Sequence, residues 1–454
     1  KGDVVAMVLP NGAPAIELYL AVLQAGFYLV PINHHLTAPE IAYIVENSGA
    51  KVFVGDAHFA AAVTGAADAL HFPATHRFAV GHIDGFRPYA ELSAGQPDTL
   101  PDDRSSGQVM NYTSGTTGKP KGVRRPLAAF DPDIVGSMMA MFLAMFGIQP
   151  YDDNVHLVGS PLYHTAVLIF AGSSLHYGHA VVLMDKWTPE SSLQIMQRYR
   201  VTTSHMVPTQ FHRTLALPEA VRAKYDVSSL RHMIHAAAPC PVDVKRRMLD
   251  WWGPVIHEYY AASEGGGTLV TPEEWLKYPG TVGRAWPGSE IRILDDDGRP
   301  QPANTPATVY MALGQQDFEY HGDQDKTHKN RRDGFFTVGD IGYLNDDGYL
   351  FLCDRKIDMI ISGGANIYPA EIESVLLTHP KVGDVAVFGV PDEDWGESVK
   401  AVVEPADGVV ASPALEAEIL AFCADQLAKF KRPKSIDFLA ALPRDPNGKL
   451  YKRK

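Results

Sequence analysis

The chain has 454 residues, which is too many for one hydrophobic core, so we expect two or more domains. Apolar residues make up 46% and charged residues 20% of it, proportions typical of a globular protein, and a net charge of −13 argues against a surface that binds nucleic acid. The three cysteines, Cys240, Cys353 and Cys423, lack metal-ligand spacing, which favours packed thiols in a reducing, cytoplasmic setting over disulfides or a zinc site.

The first third of the chain alternates short apolar runs with helical patterns. We predict strands at Val4–Leu9, Phe27–Pro31, Val52–Val54 and Phe78–Val80, and a helix at Ala15–Gln24. Strands that alternate with helices favour parallel βαβ units in an α/β fold.

Two apolar segments follow. Val109, Met110 and Tyr112 predict a short, mostly buried strand. Met138–Ile148 is the most apolar stretch, but it is too short to cross a bilayer, so we predict a buried helix and no transmembrane segment. No signal peptide is visible, and the sequence leaves open whether the natural N-terminus precedes Lys1.

The pattern changes near residue 279 to short strands and turns. "LDDDGRP" at 294–300 and "LNDDGYLFL" at 344–352 carry the Asp-Gly dipeptides typical of β-hairpins. We therefore predict that a large first domain of βαβ-type sheets ends in a small β-rich subdomain.

The pattern of predicted elements changes again after Arg355. Helix patterns appear at Pro369–Thr378 and Ser412–Lys429, and strand patterns at 385–390 and 399–403. These elements suffice for a small α+β domain. We predict that the first domain spans 1–354 and that a small, mobile second domain spans 355–454.

Residues 112–122 read "YTSGTTGKPKG" and directly follow a predicted strand. Glycines let backbone N–H groups approach an anion, hydroxyl groups add donors, and lysines add the positive charge that a phosphate needs. The loop is not a Walker A motif, because only two residues separate Gly115 from Gly118 and Pro120 stands where that motif has a Ser or Thr for magnesium. We interpret it as a mobile phosphate clamp.

The loop resembles the signature of the acyl-adenylate-forming superfamily, which includes acyl-CoA synthetases, adenylation domains and firefly luciferase. Further motifs of that superfamily follow in order: "PLYHTA" at 161–166, "HAAAP" at 235–239, "HEYYAASE" at 257–264, "GTVGRAWPG" at 280–288, "TVGDIGYLNDDGYLFLCDRK" at 337–356, "IISGGANIYPAEIE" at 360–373 and "PRDPNGK" at 443–449. The resemblance covers essentially the whole chain, and it implies a large N-terminal domain followed by a small mobile lid.

The resemblance also implies a two-step reaction. A carboxylic acid and ATP would give an acyl adenylate and pyrophosphate, and coenzyme A would then take the acyl group and release AMP. Mg²⁺ would offset the repulsion between the two anions that meet in the first step. The implied partners are a small carboxylic acid, ATP and coenzyme A, with no nucleic acid, and a homo-oligomer is left open.

The same resemblance assigns roles to residues. Lys449 would bridge the carboxylate and the α-phosphate, whereas Glu264 and Thr113 would bind Mg²⁺. His164 would act as a gate or positioning group near the carboxylate. The residues implied to contact nucleotide or coenzyme A are Thr113, Ser114, Gly115, Thr116, Thr117, Gly118, Lys119, Lys121, Ala237, Ala238, Pro239, Glu258, Tyr259, Tyr260, Ser263, Asp340, Arg355, Ser362, Gly363, Gly364 and Lys449.

Three of these residues carry specific expectations for the nucleoside, and one segment for coenzyme A. By the resemblance, Tyr260 would stack on adenine, and the 236–239 backbone would line its other side. Asp340 would accept from both ribose hydroxyl groups, and Arg355 would lie at the ribose and at the hinge of the lid. Ser362–Gly364 would follow the coenzyme A tunnel, where small residues let pantetheine pass.

Two positions depart from the pattern of the superfamily. Ala261 stands where glycine is common after the tyrosine, and its added methyl group is expected to crowd the nucleotide or acyl group. Ile357 replaces a charged residue near the hinge. The terminal residues Lys452, Arg453 and Lys454 are expected to be solvated.

Our leading hypothesis is an acyl-CoA synthetase. A stand-alone adenylation enzyme that loads a carrier-protein phosphopantetheine is the alternative, and a non-catalytic nucleotide-binding relative is a third. Retention of Lys449, Glu264 and Asp340 argues against the third. The expected acyl pocket, at 160–170 and 205–240, is rich in apolar residues, which favours a fatty, aryl or steroid-type acid over an amino acid.

Overall fold

A computed structural model describes residues 1–100, 102–113, 120–262, 265–314, 319–320, 330–444, 450 and 452, excluding the side chains of Thr113, Glu319 and Tyr320. By their internal contacts these residues form two compact units. Within the described ranges, the first unit comprises 1–205, 219–233 and 319–320. The second comprises 206–218 and the remaining described residues from 234 onward.

The first unit begins with a parallel sheet. Its described strands are β1 (Val4–Val8), β2 (Tyr28–Pro31), β3 (Ala50–Asp56), β4 (Arg77–Val80), β5 (Arg87–Pro88) and β6 (Gln108–Val109), in the order β5-β4-β3-β1-β2-β6. Each neighbouring pair is parallel, and Val5 lies between Leu29 and Val52. The predicted parallel βαβ arrangement is confirmed.

Helices connect the strands of this sheet. They are α1 (Ala13–Ala25), α2 (Ala38–Ser48) and α3 (Ala60–Ala69), with short 3₁₀ turns at Ala57–Phe59, Ala74–His76 and Tyr89–Leu92. Helix α2 begins where Glu40 accepts a hydrogen bond from the Thr37 backbone N–H at 2.8 Å. Alternate residues of β1 pack on opposite faces of the sheet, Ala6 and Val8 on one and Met7 on the other, so both faces are buried.

The rest of the first unit contains a hairpin and a second parallel sheet. The strands are β7 (Asn111–Thr113), β8 (Lys121–Arg124), β9 (Val155–Val158), β10 (Ala180–Leu183) and β11 (Thr203–Met206). Strands β7 and β8 pair antiparallel, whereas β10 and β11 flank β9 in parallel. The helices are α4 (Pro132–Ala140), α5 (Thr165–His176), α6 (Pro189–Tyr199), α7 (Pro208–Leu215), which belongs to the second unit, and α8 (Glu219–Arg222).

The apolar segment Met138–Ile148 is not the buried helix that its composition predicts. Helix α4 ends at Ala140, and a 3₁₀ helix follows at Met141–Phe146. One face is exposed, with Met138 at 63% and Met141 at 65%, because only the opposite face, with Leu143 and Phe146, packs into the core. Among the described residues, no helix is both long and apolar enough to cross a membrane.

After α7, the second unit continues with further strands and helices, and three of these strands pair antiparallel. These elements are β12 (His232–His235, of which the last two residues belong to this unit), α9 (Val242–Trp252), β13 (Ile256–Ala261), β14 (Gly267–Val270), α10 (Pro272–Lys277) and β15 (Arg284–Ala285). Strands β13, β14 and β15 pair antiparallel in that order.

A β-rich region follows, as predicted. Its strands are β16 (Ser289–Leu294), β17 (Ala307–Leu313), β19 (Arg331–Arg332), β20 (Phe335–Phe336), β21 (Asp340–Leu344) and β22 (Leu350–Arg355), while β18 (Glu319–Tyr320) pairs with β8 in the first unit. The Asp-Gly turn at 346–348 joins β21 and β22 antiparallel, so that hairpin prediction is confirmed. Val309 and Leu350 are fully buried between these strands.

The last elements form a compact α+β group. They are β23 (Ile360–Ser362), β24 (Ala365–Ile367), α11 (Pro369–Leu376), β25 (Val382–Asp392), β26 (Gly396–Pro405), α12 (Pro413–Gln426), a 3₁₀ turn at Lys429–Lys431 and β27 (Ser435–Phe438). The sheet order is β24-β23-β26-β25, with β27 parallel to β26. Ile372, Val387 and Ile419 lie at the centre of its core, so the predicted helices and strands of this region are confirmed.

Candidate active site

Three residues that are predicted to bind the nucleotide, Tyr260, Asp340 and Arg355, lie close together in the second unit. The Tyr260 hydroxyl group donates to Asp340 Oδ2 at 2.6 Å, and Arg355 Nε lies 3.7 Å from Asp340 Oδ1. The Asp340 side chain is 13% exposed and that of Arg355 41%, so the group opens toward solvent. Because a carboxylate offers about four lone-pair sites, Asp340 keeps room for further hydroxyl donors.

The strands fix this cluster. Asp340 is the first residue of β21, Arg355 is the last residue of β22, and the antiparallel register pairs the two directly. Opposite charges facing each other across a strand pair attract. The Gly339 carbonyl also accepts from the Lys356 backbone N–H at 2.8 Å, which continues the ladder beyond the pair. The position of the carboxylate is therefore set by backbone hydrogen bonds.

The predicted adenine-lining residues form a strained turn. Ala237 has a φ of +74°, which costs a residue other than glycine on the order of 1–3 kcal/mol. Ala236 is buried, Ala238 is half-buried, and Ala237 and Pro239 are exposed between β12 and α9. Strain of this kind is found most often at functional positions.

Glu258 faces the interior. Its Oε2 accepts from Lys245 Nζ at 2.6 Å and lies 3.4 Å from His235 Nε2. Burial acts to raise the pKa of Glu258, but the adjacent Lys245 ammonium, which donates to the carboxylate, and the nearby His235 lower that pKa to about 2. The carboxylate is thus ionised and engaged inside the protein, so Glu258 does not offer its side chain to a nucleotide.

Tyr259 and Ala261 flank Tyr260 on β13. Tyr259 is buried beside Trp286, with 6.5 Å between the ring centroids, and burial raises the pKa of its phenol. Ala261 pairs with Gly267 in extended backbone conformation, so the strand does not require glycine at that position.

The flanks of the glycine-rich loop lie in the first unit. Thr113 pairs with Lys121 in the β7–β8 register, and Lys121 is half-buried. The Tyr112 hydroxyl group donates to Asn47 Oδ1 at 2.7 Å, and the Tyr43 hydroxyl group donates to the Pro120 carbonyl at 3.1 Å. Both ends of the loop are therefore held against α2.

His164 also lies in the first unit. It directly precedes α5, and its carbonyl accepts from the Leu168 backbone N–H at 3.0 Å. Its half-buried ring lies 4.4 Å from the ring of Tyr163, which in turn contacts His34 edge-on at 5.2 Å. His164 is thus part of an aromatic cluster.

The Ser362–Gly364 segment is a tight hairpin. Ser362 pairs with Ala365, and both central residues have positive φ, +57° at Gly363 and +80° at Gly364, as a type I′ turn requires. The Gly363 N–H donates to the Trp395 carbonyl at 2.8 Å, and a Cβ at Gly363 would lie 2.5 Å from the Trp395 ring. The first glycine is therefore required both by the turn and by its neighbour.

Several predicted site residues lie outside the described residues. They are Ser114, Gly115, Thr116, Thr117, Gly118, Lys119, Ser263, Glu264 and Lys449, together with the side chain of Thr113. Among the residues that the structure does describe, no group of three or more His, Cys, Asp or Glu side chains could hold a metal ion. The assignment of Glu264 and Thr113 to Mg²⁺ stays a prediction.

The segment that carries Lys449 is bordered by two ion pairs. Arg444 pairs with Leu450 in an antiparallel bridge, and its guanidinium donates twice to Asp384, at 2.5 and 2.7 Å. On the far side, Lys452 Nζ lies 2.8 Å from Glu373 Oε1. The Lys452 side chain is only 15% exposed, so the expectation that it is solvated is wrong.

Sequence reasoning did not single out Lys245, Trp395, Arg444 or Lys452. Lys245 looks like an ordinary polar residue on an amphipathic helix, and only its spacing from Trp252 and Glu258 hints at an inward side chain. Trp395 follows "DED" at the tip of a hairpin, a pattern typical of a surface turn. Their partners are distant in sequence, so no local pattern reveals them.

All three cysteines are free. Cys423 is buried in the C-terminal core, and Cys240 and Cys353 are half-buried. Burial raises the pKa of all three thiols, to about 11 for Cys353 and Cys423. A high thiol pKa disfavours the reactive thiolate, which agrees with packed thiols.

Comparison with known proteins decides the family. The AMP-binding enzyme model matches residues 1–316, and the model of the AMP-binding enzyme C-terminal domain matches residues 371–449. The chain belongs to the family of AMP-binding enzymes. The predicted resemblance is therefore confirmed over most of the chain.

Relatives of this AMP-binding enzyme include CoA ligases. The long-chain-fatty-acid–CoA ligase FadD13 of Mycobacterium tuberculosis is 32% identical, over 100% of this chain and 87% of that protein. The feruloyl-CoA synthase of an Amycolatopsis species is 34% identical, over 99% and 88%. Among solved structures, the o-succinylbenzoate CoA synthetase MenE of Bacillus subtilis, bound to the acyl-adenylate OSB-AMP, gives a TM-score of 0.81 at 27% identity over 100% and 88%.

This AMP-binding enzyme is an AMP-forming acid–thiol ligase. ATP and a carboxylic acid form an acyl adenylate and pyrophosphate, and coenzyme A then accepts the acyl group with release of AMP. The mixed α/β fold with a large N-terminal and a small C-terminal part agrees with these relatives.

Proposed function

We propose that this ligase activates an apolar aliphatic or aromatic carboxylic acid, and that the cluster of Tyr260, Asp340 and Arg355 holds the nucleoside of ATP. The observation that carries the proposal is the 2.6 Å hydrogen bond from Tyr260 to Asp340, with Arg355 paired across the strands. This hydrogen bond joins an aromatic ring, which can stack on adenine, to a carboxylate, which can accept from the ribose hydroxyl groups.

In the proposed nucleoside site each group has one task. The Asp340 carboxylate accepts hydrogen bonds from the two ribose hydroxyl groups. Tyr260 holds that carboxylate in place and offers its ring to adenine. Arg355 contributes positive charge beside the carboxylate and toward the phosphates.

The proposed chemistry needs positive charge at the reacting phosphate. We assign Lys449 to the α-phosphate and the incoming carboxylate, and Thr113–Lys121 to the β- and γ-phosphates. Mg²⁺ bound to the phosphates would neutralise further charge, with Glu264 and Thr113 as its predicted ligands. Because the carboxylate itself attacks, no general base is needed, so His164 is assigned to positioning rather than proton transfer.

The acyl site is proposed to be apolar. Phe170 in α5 packs against Phe142 at 5.3 Å and Phe146 at 5.5 Å, and against His205 at 5.1 Å between ring centroids. Burial lowers the pKa of the neighbouring His156 to about 3, so His156 is uncharged at neutral pH. The fatty and feruloyl substrates named for two relatives also support an apolar or aromatic acid.

We further propose a domain boundary at residues 354–356, with 355–454 as the lid. The core of the last elements is drawn from residues 360–436, which supports a separate folding unit there. Next to this boundary, Ile357 is 52% exposed. Lys356 Nζ lies 2.5 Å from Asp296 Oδ1. A cytoplasmic location is proposed because ATP and coenzyme A are available there.

A carboxylic-acid panel tests the proposed function. Medium- and long-chain fatty acids, cinnamic and benzoic acids, amino acids and small dicarboxylates are each supplied with ATP and coenzyme A. Pyrophosphate and thioester are measured separately. We expect both products from apolar or aromatic acids, and adenylate but no thioester when coenzyme A is omitted.

Two results would contradict the proposal. One is pyrophosphate release driven by amino acids or dicarboxylates in preference to apolar acids. The other is a thioester formed only when a phosphopantetheinylated carrier protein replaces coenzyme A. The variant Lys449→Ala serves as the control, because it should abolish acid-dependent pyrophosphate release while the protein stays folded.

A further inference from the structure

A buried ion pair involves β13, the strand that carries Tyr260 of the proposed nucleoside site. Lys245 on α9 is 0% exposed, and its ammonium donates to Glu258 on β13 at 2.6 Å. The same ammonium lies 4.9 Å from the ring centroid of Trp275, itself 1% exposed. His235, also 0% exposed, approaches Glu258 Oε2 at 3.4 Å.

These groups adjoin β13, which carries Tyr260, and the turn at Ala237, which is predicted to line adenine. His235 is the last residue of β12 and immediately precedes the strained turn at Ala237. Glu258 precedes Tyr260 by two positions on β13, so their side chains lie on the same face of the strand, roughly 7 Å apart. Anchoring Glu258 therefore constrains where the Tyr260 ring can lie.

Stability alone does not account for the pair. Desolvation of two charges offsets most of their attraction, and well-packed apolar residues of similar volume often stabilise a protein as well or better. The ion pair, however, forms only when α9 and β13 are aligned so that Lys245 faces Glu258. A slip of β13 by one residue would turn Glu258 away from Lys245 and Tyr260 away from Asp340.

We propose that the Lys245–Glu258 pair, with His235 against it, is a positioning device that sets the orientation of Tyr260 toward Asp340 and so preorganises the nucleoside site. This inference rests on the proposed function of that site. Lys245 and Glu258 are 0% and 5% exposed, so they act through the placement of β13.

The test replaces the whole pair. In the variant Lys245→Met/Glu258→Met both charges are removed together, so neither is left buried and unpaired. We expect a thermal midpoint close to that of the wild type, a KM for ATP and a Kd for AMP raised about tenfold, and a kcat changed less than about threefold at saturating ATP. The KM for coenzyme A should stay unchanged.

An exposed ion pair supplies the matched control. Lys381 Nζ lies 2.7 Å from Glu418 Oε2, and both side chains are nearly half exposed. The variant Lys381→Met/Glu418→Met should leave the Kd for AMP as in the wild type. Equal AMP affinity in the wild type and in Lys245→Met/Glu258→Met would overturn the proposal.

A coupling measurement asks whether the device acts through Tyr260. Tyr260→Phe removes the hydroxyl group that reaches Asp340, and we combine it with Lys245→Met/Glu258→Met. If the pair works by placing that hydroxyl group, the combined variant should lose little more AMP affinity than the worse of its two parents. Losses that multiply would contradict the proposed route.

A conservative change covers the case in which the double variant fails to fold. Glu258→Asp keeps both charges but shortens the acid by one methylene group, and it is assayed well below its own thermal midpoint. We expect a higher Kd for AMP here too, and an unchanged Kd would overturn the proposal. AMP binding by calorimetry does not depend on the acid, so a wild type that fails to bind AMP would instead refute the proposed nucleoside site.

Discussion

At the scale of single residues, Ala237 stands out because it adopts a backbone conformation that suits glycine. The φ of +74° brings its Cβ close to the backbone, and nothing buried compensates, since the residue is exposed. The strain therefore lies at the turn assigned to adenine. A turn held in one strained shape can meet a planar ring without rearranging.

Replacement of Ala237 by glycine should relieve that strain. We expect Ala237→Gly to unfold at the same temperature as the wild type or a few degrees higher, because lost strain of about 1 kcal/mol offsets the added chain entropy. Thermal unfolding followed by circular dichroism measures this. Ala238→Gly is the control: its φ is not positive, so it should lose about 0.5–1 kcal/mol. Equal losses in both variants would show that Ala237 is not strained.

Asp340 is the residue on which nucleotide affinity should depend most. Asp340→Asn keeps the shape but removes the charge, and hydrogen bonds to a charged acceptor contribute about 1.5–3 kcal/mol, so AMP affinity should fall at least about tenfold. Calorimetric titration with AMP checks it. Asp346→Asn, at the far end of the same hairpin and bonded to Asn304, should bind AMP normally. Unchanged affinity in Asp340→Asn would remove the ribose assignment.

The sequence allowed part of this site to be predicted. Tyr260, Asp340 and Arg355 follow from ordered motifs, and the strand register brings them together. The role of Glu258 could not be predicted in the same way, because its partner Lys245 lies on a helix whose other basic residues, Arg246 and Arg247, are exposed. Burial of a charged side chain depends on tertiary packing, which a single sequence does not display.

At the scale of elements, the turn between β23 and β24 has a backbone conformation that requires glycine. Two consecutive positive φ angles and the Trp395 ring beneath Gly363 leave no space for a side chain. The turn therefore constrains the predicted coenzyme A segment more than its strands do.

Gly363→Ala should affect both stability and the second half-reaction. Positive φ costs alanine about 1–2 kcal/mol, and the contact with Trp395 adds to that cost. We expect slower thioester formation with adenylate formation largely intact, measured from separate pyrophosphate and thioester assays. Gly408→Ala has a φ of +79° with nothing within 4 Å, so it isolates the backbone cost. Identical behaviour of the two variants would exclude a role for Trp395.

At the C-terminal end, two ion pairs hold the described residues on either side of Lys449. Lys452 pairs with Glu373 on α11, whose carboxylate also accepts from the Val387 backbone N–H at 2.8 Å. On the other side, Arg444 is held twice by Asp384. Sequence reasoning missed these anchors because a lysine near the end of a chain usually points to solvent.

Removal of the tail anchor should slow adenylation. Lys452→Met should reduce acid-dependent pyrophosphate release about tenfold, because the segment that carries Lys449 loses one of its supports. Transfer from a preformed adenylate to coenzyme A should be unaffected. Lys400→Met breaks a comparable pair with Asp437 at 2.8 Å and should keep normal activity. Normal adenylation by Lys452→Met would mean that the tail does not depend on this pair.

At the scale of the whole molecule, neutral buried histidines make stability depend on pH. His156 is 1% exposed, its Nδ1 lies 2.9 Å from Thr203 Oγ1, and burial followed by repulsion from His179 lowers its pKa to about 3. An unfolded histidine binds a proton near pH 6.5, whereas the folded one does not until far lower pH. The unfolded state therefore gains protons first, and stability falls as pH decreases.

The size of this effect can be measured. From pH 7 to pH 5 the free energy of unfolding should fall by about 2 kcal/mol through His156 alone, and His156→Gln should reduce the pH dependence by that amount. Urea unfolding at several pH values tests it. Ser204→Ala removes a neighbouring buried hydroxyl group that bonds the Leu157 carbonyl at 2.8 Å, so it should destabilise equally at every pH. An unaltered pH slope in His156→Gln would refute the assignment.

The exposed face of α4 and of the 3₁₀ helix that follows it has a chemical consequence. Met138 and Met141 present their thioethers to water, whereas Met7, Met110 and Met196 are at most 2% exposed. A mild dose of peroxide should therefore convert Met138 and Met141 to sulfoxides first. This oxidation makes the exposed apolar surface polar, while the buried methionines stay unreacted. The mass of the peptide that spans 138–141 would then report how long a sample has been exposed to air.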